Sequence, residues 1–163
     1  MDIIKFCIVM LAAASFRMGV NTELIPYEDQ KNYIEEYVFE IIEEGNYYNV
    51  PPSLVLAVVE KESTYYWQAR NGEHYGLMQI NPKWHKDRME KLGVEDLAAN
   101  PYNNLLVGID YISELLKKYE DSYDALNVYN SGSTNGIAGQ YALSVMSKKY
   151  EIDEYLWDKY EGW

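Results

Sequence analysis

A chain of 163 residues is long enough to bury the core of one compact domain. Its formal net charge of −12 repels phosphate backbones, which argues against nucleic acid as a partner. One cysteine excludes an intramolecular disulfide, and two histidines without nearby cysteines do not form a zinc site, so we expect neither a metal nor a cofactor. The 17 tyrosines are unusual, and they suit both a small core and a sugar-binding surface.

The chain begins with an almost entirely apolar segment, Ile3–Phe16. Small residues end this run, and Ala12-x-Ala14 is typical of a secretory cleavage site. The run is shorter than the roughly 20 residues that a membrane span needs. We therefore predict that residues 1–20 are a signal peptide or an N-terminal anchor near the membrane, with an ordinary apolar helix as the third option. The first two predict an exported, extracytoplasmic protein at the cell wall or membrane.

A polar linker and a first helix are predicted within residues 21–45. Apolar residues recur every four positions in the second part of this segment, at Tyr33, Tyr37 and Ile41. That period indicates a helix with one buried face. Gly45 follows the last periodic residue and is predicted to end the helix. Residues 46–163 then form the main domain.

A helix over residues 52–63 carries the most informative pattern. One of its faces is apolar, at Val55, Val58 and Val59. Glu62 extends that face, and a carboxyl group at the edge of an apolar stripe loses hydration, so its pKa rises toward the range that a general acid needs. Glu60 lies roughly 160° away around the helix and is expected to face solvent. The alternative is a Glu62 side chain that simply reaches out to water.

The rest of the chain alternates between helices and polar loops. A loop with a turn at Asn71-Gly72 is predicted at residues 64–75, and a short β-hairpin is an option between residues 64 and 80. Helices are predicted at residues 82–92, at 103–119, after a capping Ser122, and at 138–150 and 153–160. Gly108 costs its helix about 1 kcal/mol relative to alanine, which suggests a close contact with another helix.

The predicted fold class is mainly α. No segment alternates convincingly with a period of two over five or more residues, as an exposed strand would. The helices therefore make up a single domain, with loops lining a substrate groove.

Three short motifs occur in a fixed order along the chain. They are Glu62-Ser63, Gly76-Leu77-Met78-Gln79-Ile80-Asn81 and Ala125-x-x-x-Tyr129-Asn130-x-Gly132. In this order and spacing they resemble the soluble lytic transglycosylase (SLT) family. Two further segments resemble the last motif of that family and the helix behind its site: Tyr141-x-x-x-Val145 and Pro101-Tyr102-x-Asn104-x-x-x-Gly108. The resemblance covers about residues 48–150.

The family has a lysozyme-like fold and cleaves the β-1,4 bond between N-acetylmuramic acid and N-acetylglucosamine in peptidoglycan. The resemblance implies that residues 46–163 are the catalytic domain. It also implies that Glu62 protonates the leaving oxygen and then takes the proton of the C6 hydroxyl, which attacks C1 of the same sugar to form a 1,6-anhydro ring. One carboxylate suffices because no water is activated, whereas hydrolysis usually needs two. Peptidoglycan is then the partner, and a cell-envelope or secretion machine is a further candidate.

The resemblance also implies a set of substrate-binding residues around Glu62. Ser63 steadies the helix end, and Tyr141 hydrogen-bonds the Glu62 carboxyl group. Met78 and Gln79 pack on the sugar and hydrogen-bond it. The full predicted set is Ser63, Asn71, Met78, Gln79, Asn81, Tyr129, Asn130 and Tyr141.

Three members of that set have simpler readings as well. Tyr129 and Asn130 match a Tyr-Asn pair across the cleft, but Tyr129 also lies on an apolar stripe and Asn130 could cap its helix. Asn71 stands where many members have a serine, although an amide can also donate and accept hydrogen bonds.

Two other functions stay open. Glu73, if it reached the far face of the sugar, could activate water, and the protein would then be a muramidase of the same fold. A solvated loop residue is the simpler reading of Glu73. The other alternative is a non-catalytic peptidoglycan-binding protein. A muramidase releases reducing-end products, and a binding protein releases none.

Overall fold

The computed structural model describes residue 37, residues 40–134 and residues 139–160, with side chains up to Glu154. The predicted signal peptide or anchor, the linker and most of the first predicted helix lie outside these residues. The first described helix, α1, covers residues 40–48. No helix in the described part of the chain combines the length and the apolarity that crossing a membrane requires.

Helix α1 ends one turn later than predicted, because Gly45 lies inside the helix. Asn49 adopts a left-handed conformation with φ 57° and directs the chain out of the helix. The Val50 N–H donates to the Gly45 carbonyl at 2.8 Å, and the Asn49 N–H donates to the Asn46 carbonyl at 3.2 Å. This is a Schellman motif with asparagine at the left-handed position. A Cβ atom on Gly45 would lie 2.9 Å from the Val50 carbonyl oxygen, so the glycine is needed for close approach.

Helix α2 spans Pro52–Ser63, as predicted. Proline fits its first turn because the N–H that proline lacks would have no helical partner there. All residues from Ser53 to Val59 are buried, so protein surrounds this part of α2 on every side. The prediction that Glu60 faces solvent is therefore wrong. Its side chain is only 13% exposed, and it forms an ion pair of 3.1 Å with Lys148.

A two-stranded hairpin follows, which confirms the option of a short hairpin between residues 64 and 80. Strands β1, Arg70–Asn71, and β2, His74–Tyr75, are antiparallel. Asn71 pairs with His74, so the turn is centred on Gly72-Glu73, one residue later than predicted. Gly72 has φ 61°, the conformation that the first central position of such a turn favours.

Four more helices complete the described chain. They are α3, Lys86–Leu92; α4, Pro101–Lys118; α5, Ser122–Ser131; and α6, Gly139–Tyr160. Helix α3 begins four residues after Pro82. The cap of α5 is Asp121 rather than Ser122, because the Asp121 carboxylate accepts from the Tyr123 N–H at 2.8 Å.

The two predicted C-terminal helices are one continuous helix, α6. No glycine or proline interrupts residues 150–153, and ion pairs bridge the expected break. Lys148 pairs with Glu151 at 3.3 Å, and Lys149 pairs with Asp153. The long helix packs against α2 and α5.

The core is one cluster of residues from α2, α4, α5 and α6 and the turn at residues 77–80. Its fully buried side chains include Val55, Leu77, Leu105, Ile109 and Val145. Gly108 of α4 does make the predicted close contact, but with the Met78 side chain in a turn and not with another helix. The mainly helical fold class with a small hairpin is therefore confirmed, and the loops and helix ends around Glu62 are the part that bears on function.

Candidate active site

Glu62 lies in the last turn of α2 and is partly buried. Tyr141, in the first turn of α6, donates its hydroxyl proton to Glu62 Oε1 at 2.6 Å. The packing of α6 on α2 brings the two side chains together. This hydrogen bond is the one that the family resemblance implied.

The pKa of Glu62 is raised above its ordinary value. Burial is the largest cause, because it removes water from the ionised form. The Tyr141 hydrogen bond and the charges of His74 and Lys61 partly offset this rise. The carboxyl group therefore keeps its proton to a higher pH than an exposed glutamate would. Since Oε1 accepts from Tyr141, the proton of the neutral form belongs on Oε2.

Tyr141 is suited to remain the donor in this pair. Burial, followed by the nearby Glu62 charge, raises its pKa well above the ordinary value. The hydroxyl therefore stays protonated over the physiological pH range and can donate to the Glu62 carboxyl group whether that group is ionised or neutral.

The chain leaves α2 abruptly just after Glu62. Ser63 Oγ donates to the Val59 carbonyl at 3.0 Å, which stabilises the final turn. Thr64 and Tyr65 then both adopt positive φ angles, 51° and 63°, which are uncommon for residues other than glycine. The Tyr65 hydroxyl donates to Glu60 Oε2 at 3.2 Å, and this hydrogen bond fixes the bend to α2.

A tight turn at residues 75–80 lies between β2 and α3, and Asn104 of α4 holds it in shape. Tyr75 and Ile80 exchange two backbone hydrogen bonds of 3.0 Å across its base. The Asn104 amide donates to the Tyr75 carbonyl at 2.6 Å and accepts from the Met78 N–H at 2.7 Å. Gly76, at φ 76°, allows this approach, because a Cβ atom there would lie 2.5 Å from Asn104 Cγ.

Gln79 is also fixed within this turn. Its backbone has φ 48°, and its side-chain Nε2 donates to the carbonyls of Gly76 at 2.8 Å and Ala69 at 3.2 Å. Both amide protons are thus directed to the main chain. The predicted sugar contact of Gln79 can therefore involve only its acceptor, Oε1.

Two predicted substrate-binding residues are placed in the core instead. The Met78 side chain is fully buried against Gly108 and cannot pack on a sugar. The Asn81 side chain is also buried, and its Oδ1 accepts from the Lys83 N–H at 3.0 Å, which supports the start of the next turn. Both residues shape the loop that faces the site without reaching a substrate themselves.

Tyr129 links α5 to the same turn. Its hydroxyl donates to the Met78 carbonyl at 2.7 Å, and its ring stacks on Tyr111 with centroids 5.3 Å apart. Burial and then the Glu62 charge raise the pKa of Tyr129. Asn130 is exposed in the last turn of α5, and Asn71 is exposed on β1. A contact of either asparagine with substrate stays a prediction.

Three residues near the site were not predicted as part of it: Asn104, Tyr111 and His85. Asn104 belongs to a segment with a family resemblance, but nothing in the sequence indicates its two hydrogen bonds to the turn. His85, in the bend before α3, packs edge-on against Tyr111 with centroids 4.5 Å apart. Burial, together with the charge of Arg88, lowers the pKa of His85 to about 4. Among the described residues, no group of His, Cys, Asp or Glu side chains could hold a metal ion.

Comparisons with known proteins relate this chain to one family. Residues 39–152 match the family model of the transglycosylase SLT domain. Protein IpgF of Shigella flexneri is 31% identical over 97 residues, which are 55% of this chain and 63% of IpgF. Invasion protein IagB of Salmonella typhi is 29% identical over 117 residues, 66% of this chain and 72% of IagB. The chain thus spans less than two thirds of IpgF.

A solved structure has a similar fold. It is an inactive mutant of the lytic transglycosylase Slt from Pseudomonas aeruginosa, with a TM-score of 0.64 and 19% sequence identity over 91% of this chain and 30% of Slt. This likeness confirms the predicted fold class to the extent that the chain is mainly helical and folds like this part of Slt. Because the family model covers most of the described residues and includes the Glu62 site, the chain belongs to the transglycosylase SLT domain family.

Proposed function

We propose that this protein is a peptidoglycan lytic transglycosylase in which Glu62 acts as both acid and base. It would cleave the β-1,4 bond between N-acetylmuramic acid and N-acetylglucosamine and leave a 1,6-anhydromuramic acid end. The observation that carries the proposal is the partly buried Glu62 carboxyl, whose pKa is raised by burial and whose Oε1 is held by Tyr141.

The two steps of the reaction need only this carboxyl group. In the first, Glu62 Oε2 gives its proton to the bridging oxygen, the bond from C1 to that oxygen breaks, and N-acetylglucosamine leaves with a hydroxyl at C4. In the second, the C6 hydroxyl of the muramic acid attacks C1, and its proton returns to Glu62. No water is consumed, and the enzyme ends in its starting protonation state. A raised pKa favours the first step, because the carboxyl group must begin protonated.

The charges around Glu62 favour this route over hydrolysis. A hydrolase places its second carboxylate within about 5–9.5 Å of the first, where it would raise the pKa of the acid by repulsion. Among the described residues, the charged groups that act on the pKa of Glu62 are His74 and Lys61, and both are basic. Glu73 is exposed in the hairpin turn and is not among the causes of the raised pKa of Glu62.

We further propose that the protein works outside the cytoplasm, where peptidoglycan lies. The signal-like segment at residues 1–20 supports this location, with cleavage or membrane anchoring both consistent with it. A cell-envelope or secretion-machine partner remains a proposal of the same kind, to be tested by isolating the protein with its complex.

Product analysis of digested sacculi tests the proposed reaction. Wild-type protein should release muropeptides that end in 1,6-anhydromuramic acid. Glu62→Gln should reduce this release at least about 10²-fold, as expected for the loss of a general acid. Glu73→Gln should leave it unchanged. Products heavier by one water, lost in Glu73→Gln, would identify a muramidase, and binding without any product would identify a non-catalytic protein.

A further inference from the structure

A row of three aromatic side chains leads away from the candidate site. It begins at Tyr129, whose ring stacks on Tyr111 at 5.3 Å, and continues to His85, whose ring meets Tyr111 edge-on at 4.5 Å. All three are partly exposed. Arg88 fixes the middle of the row, because its guanidinium group lies 5.1 Å from the Tyr111 ring centroid.

The row begins beside the candidate site. The Tyr129 hydroxyl donates to the Met78 carbonyl, in the turn that follows the hairpin, at 2.7 Å. Glu62 lies close enough for its charge to act on Tyr129. The Tyr111 and His85 rings continue the row from there by direct ring contacts.

Trp84 immediately precedes His85 in the chain, in the turn before α3. Its backbone N–H donates to the Asn81 carbonyl at 3.1 Å, which anchors the turn that carries it. The side chain is 72% exposed, and Lys83 Nζ lies 5.2 Å from the ring centroid. A large apolar ring with a polar N–H, held in a defined turn, is suited to stack on the apolar face of a sugar.

We infer that Trp84, together with the His85 and Tyr111 rings, binds the glycan strand several sugars away from the bond that Glu62 cleaves. This inference rests on the proposed function for its choice of ligand. The occupant is a chain of β-1,4-linked N-acetylated sugars, the same polymer that the proposed reaction cleaves at Glu62. The consequence is a preference for long strands over short ones.

Binding of defined oligosaccharides to the inactive Glu62→Gln protein tests this inference without turnover. Isothermal titration with chitobiose and chitohexaose is performed on this protein and on the same protein carrying Trp84→Ala. We expect Trp84→Ala to weaken chitohexaose binding about tenfold, which corresponds to about 1.4 kcal/mol. Chitobiose binding should not change. Trp84→Phe should retain part of the chitohexaose affinity.

Tyr150→Ala is the matched control. Tyr150 is 54% exposed on α6 and also has the preceding lysine over its ring, with Lys149 Nζ 5.1 Å from the centroid. It lies nine residues beyond Tyr141 on α6, outside the row of ring contacts, and its replacement should change neither affinity. Equal unfolding temperatures of the variants show that folding is unaffected.

Three outcomes would overturn the inference: equal chitohexaose affinity with and without Trp84, equal losses for both oligosaccharides, or no chitohexaose binding by the Glu62→Gln protein. None of these depends on product chemistry. If wild-type protein releases anhydro products and Trp84→Ala has no effect, only the inference fails. If Trp84 supports chitohexaose binding and sacculi yield no products, only the proposed reaction fails.

Discussion

The Tyr141 hydroxyl donates to Glu62 Oε1 at 2.6 Å across 79 positions of the chain. One partner comes from the last turn of α2 and the other from the first turn of α6, so the pair exists only in the packed fold. Burial raises the pKa of both groups, yet the hydrogen bond itself favours the ionised carboxylate. The hydroxyl thus positions Glu62 and at the same time limits the rise of its pKa.

Replacement of Tyr141 by phenylalanine separates these two effects. Turnover should fall about 10- to 100-fold, because the carboxyl group is no longer held in one orientation. The lost hydrogen bond had lowered the pKa of Glu62, so the alkaline limb of the pH–rate profile should move to higher pH. The profile is measured on purified sacculi.

Tyr102→Phe serves as the control for this profile, since the Tyr102 hydroxyl donates to a different carboxylate, Glu44, at 3.0 Å. Its turnover and pH profile should match those of wild-type protein. An alkaline limb of Tyr141→Phe that stays in place or moves to lower pH would contradict the assigned role of the hydrogen bond.

Two glutamates on α2 should respond in opposite ways to the same substitution. The pKa of Glu62 is raised in the folded state, so its stabilising contribution is complete below the unfolded pKa and is lost as the pH rises through the folded pKa. Glutamine stays neutral throughout, and Glu62→Gln should therefore raise the Tm at pH 8 by about 2–4 °C. The gain should shrink toward pH 4. Scanning calorimetry over this pH range measures it.

Glu60→Gln, two residues earlier, should instead destabilise the fold. It removes the 3.1 Å ion pair with the largely buried Lys148, which keeps its pair with Glu151 at 3.3 Å. Breaking a buried ion pair from one side costs up to about 3–5 kcal/mol, and the remaining pair reduces this cost. A lower Tm for Glu62→Gln than for wild type at pH 8 would contradict the prediction that burial of the ionised Glu62 carboxylate destabilises the fold.

Gly76→Ala should destabilise the protein more than an ordinary glycine replacement. A left-handed backbone costs an L-residue about 1–2 kcal/mol, and the contact of the new methyl group with Asn104 adds about 1–3 kcal/mol. Gly93→Ala is the matched control, because Gly93 has φ 68° and nothing within 4 Å of its Cβ position. Urea unfolding compares the two. Equal losses would mean that the turn yields and that Asn104 does not constrain it.

Arg88→Ala should cost far more stability than Lys86→Ala on the same helix. Arg88 pairs with the largely buried Asp110 and, at 2.6 Å, with Glu114, so its loss leaves the Asp110 carboxylate paired with Lys91 alone among the described residues, at 3.5 Å. We expect a loss of up to about 3–5 kcal/mol for Arg88→Ala. Lys86 is exposed and 3.9 Å from Glu90, and its loss should cost less than about 1 kcal/mol. Chemical denaturation measures the loss of stability in both variants. Similar losses for Arg88→Ala and Lys86→Ala would contradict the conclusion that Arg88 supports the aromatic row.

The sequence was most informative where the signal is local. The first turn of α2, the αL glycine after α3 and the turn at Gly72 each depend on one or two residues with a strong backbone preference. The position of Glu62 at the edge of an apolar stripe could be predicted from the sequence for the same reason. The pairing of Glu62 with Tyr141 was expected only through the family resemblance.

What the sequence did not show depends on neighbours that are distant in the chain. Glu60 was expected in solvent because a helical wheel cannot reveal that α6 covers that side of α2. Met78 was expected to contact the sugar, yet its side chain fills the space in the core that Gly108 leaves open. His85 and Tyr111 have no periodic pattern that would place them beside each other.

The two hydrogen bonds from Asn104 mean that the conformation of residues 75–80 is encoded partly on another helix. A single amide supplies one donor and one acceptor, 2.6 Å from the Tyr75 carbonyl and 2.7 Å from the Met78 N–H. An aspartate of the same size would place a carboxylate oxygen against the Tyr75 carbonyl oxygen. A leucine would leave both the Tyr75 carbonyl and the Met78 N–H without a hydrogen-bond partner. A chimera that takes residues 75–80 from a homologue therefore also has to take α4 from it, because the two segments have to be exchanged together.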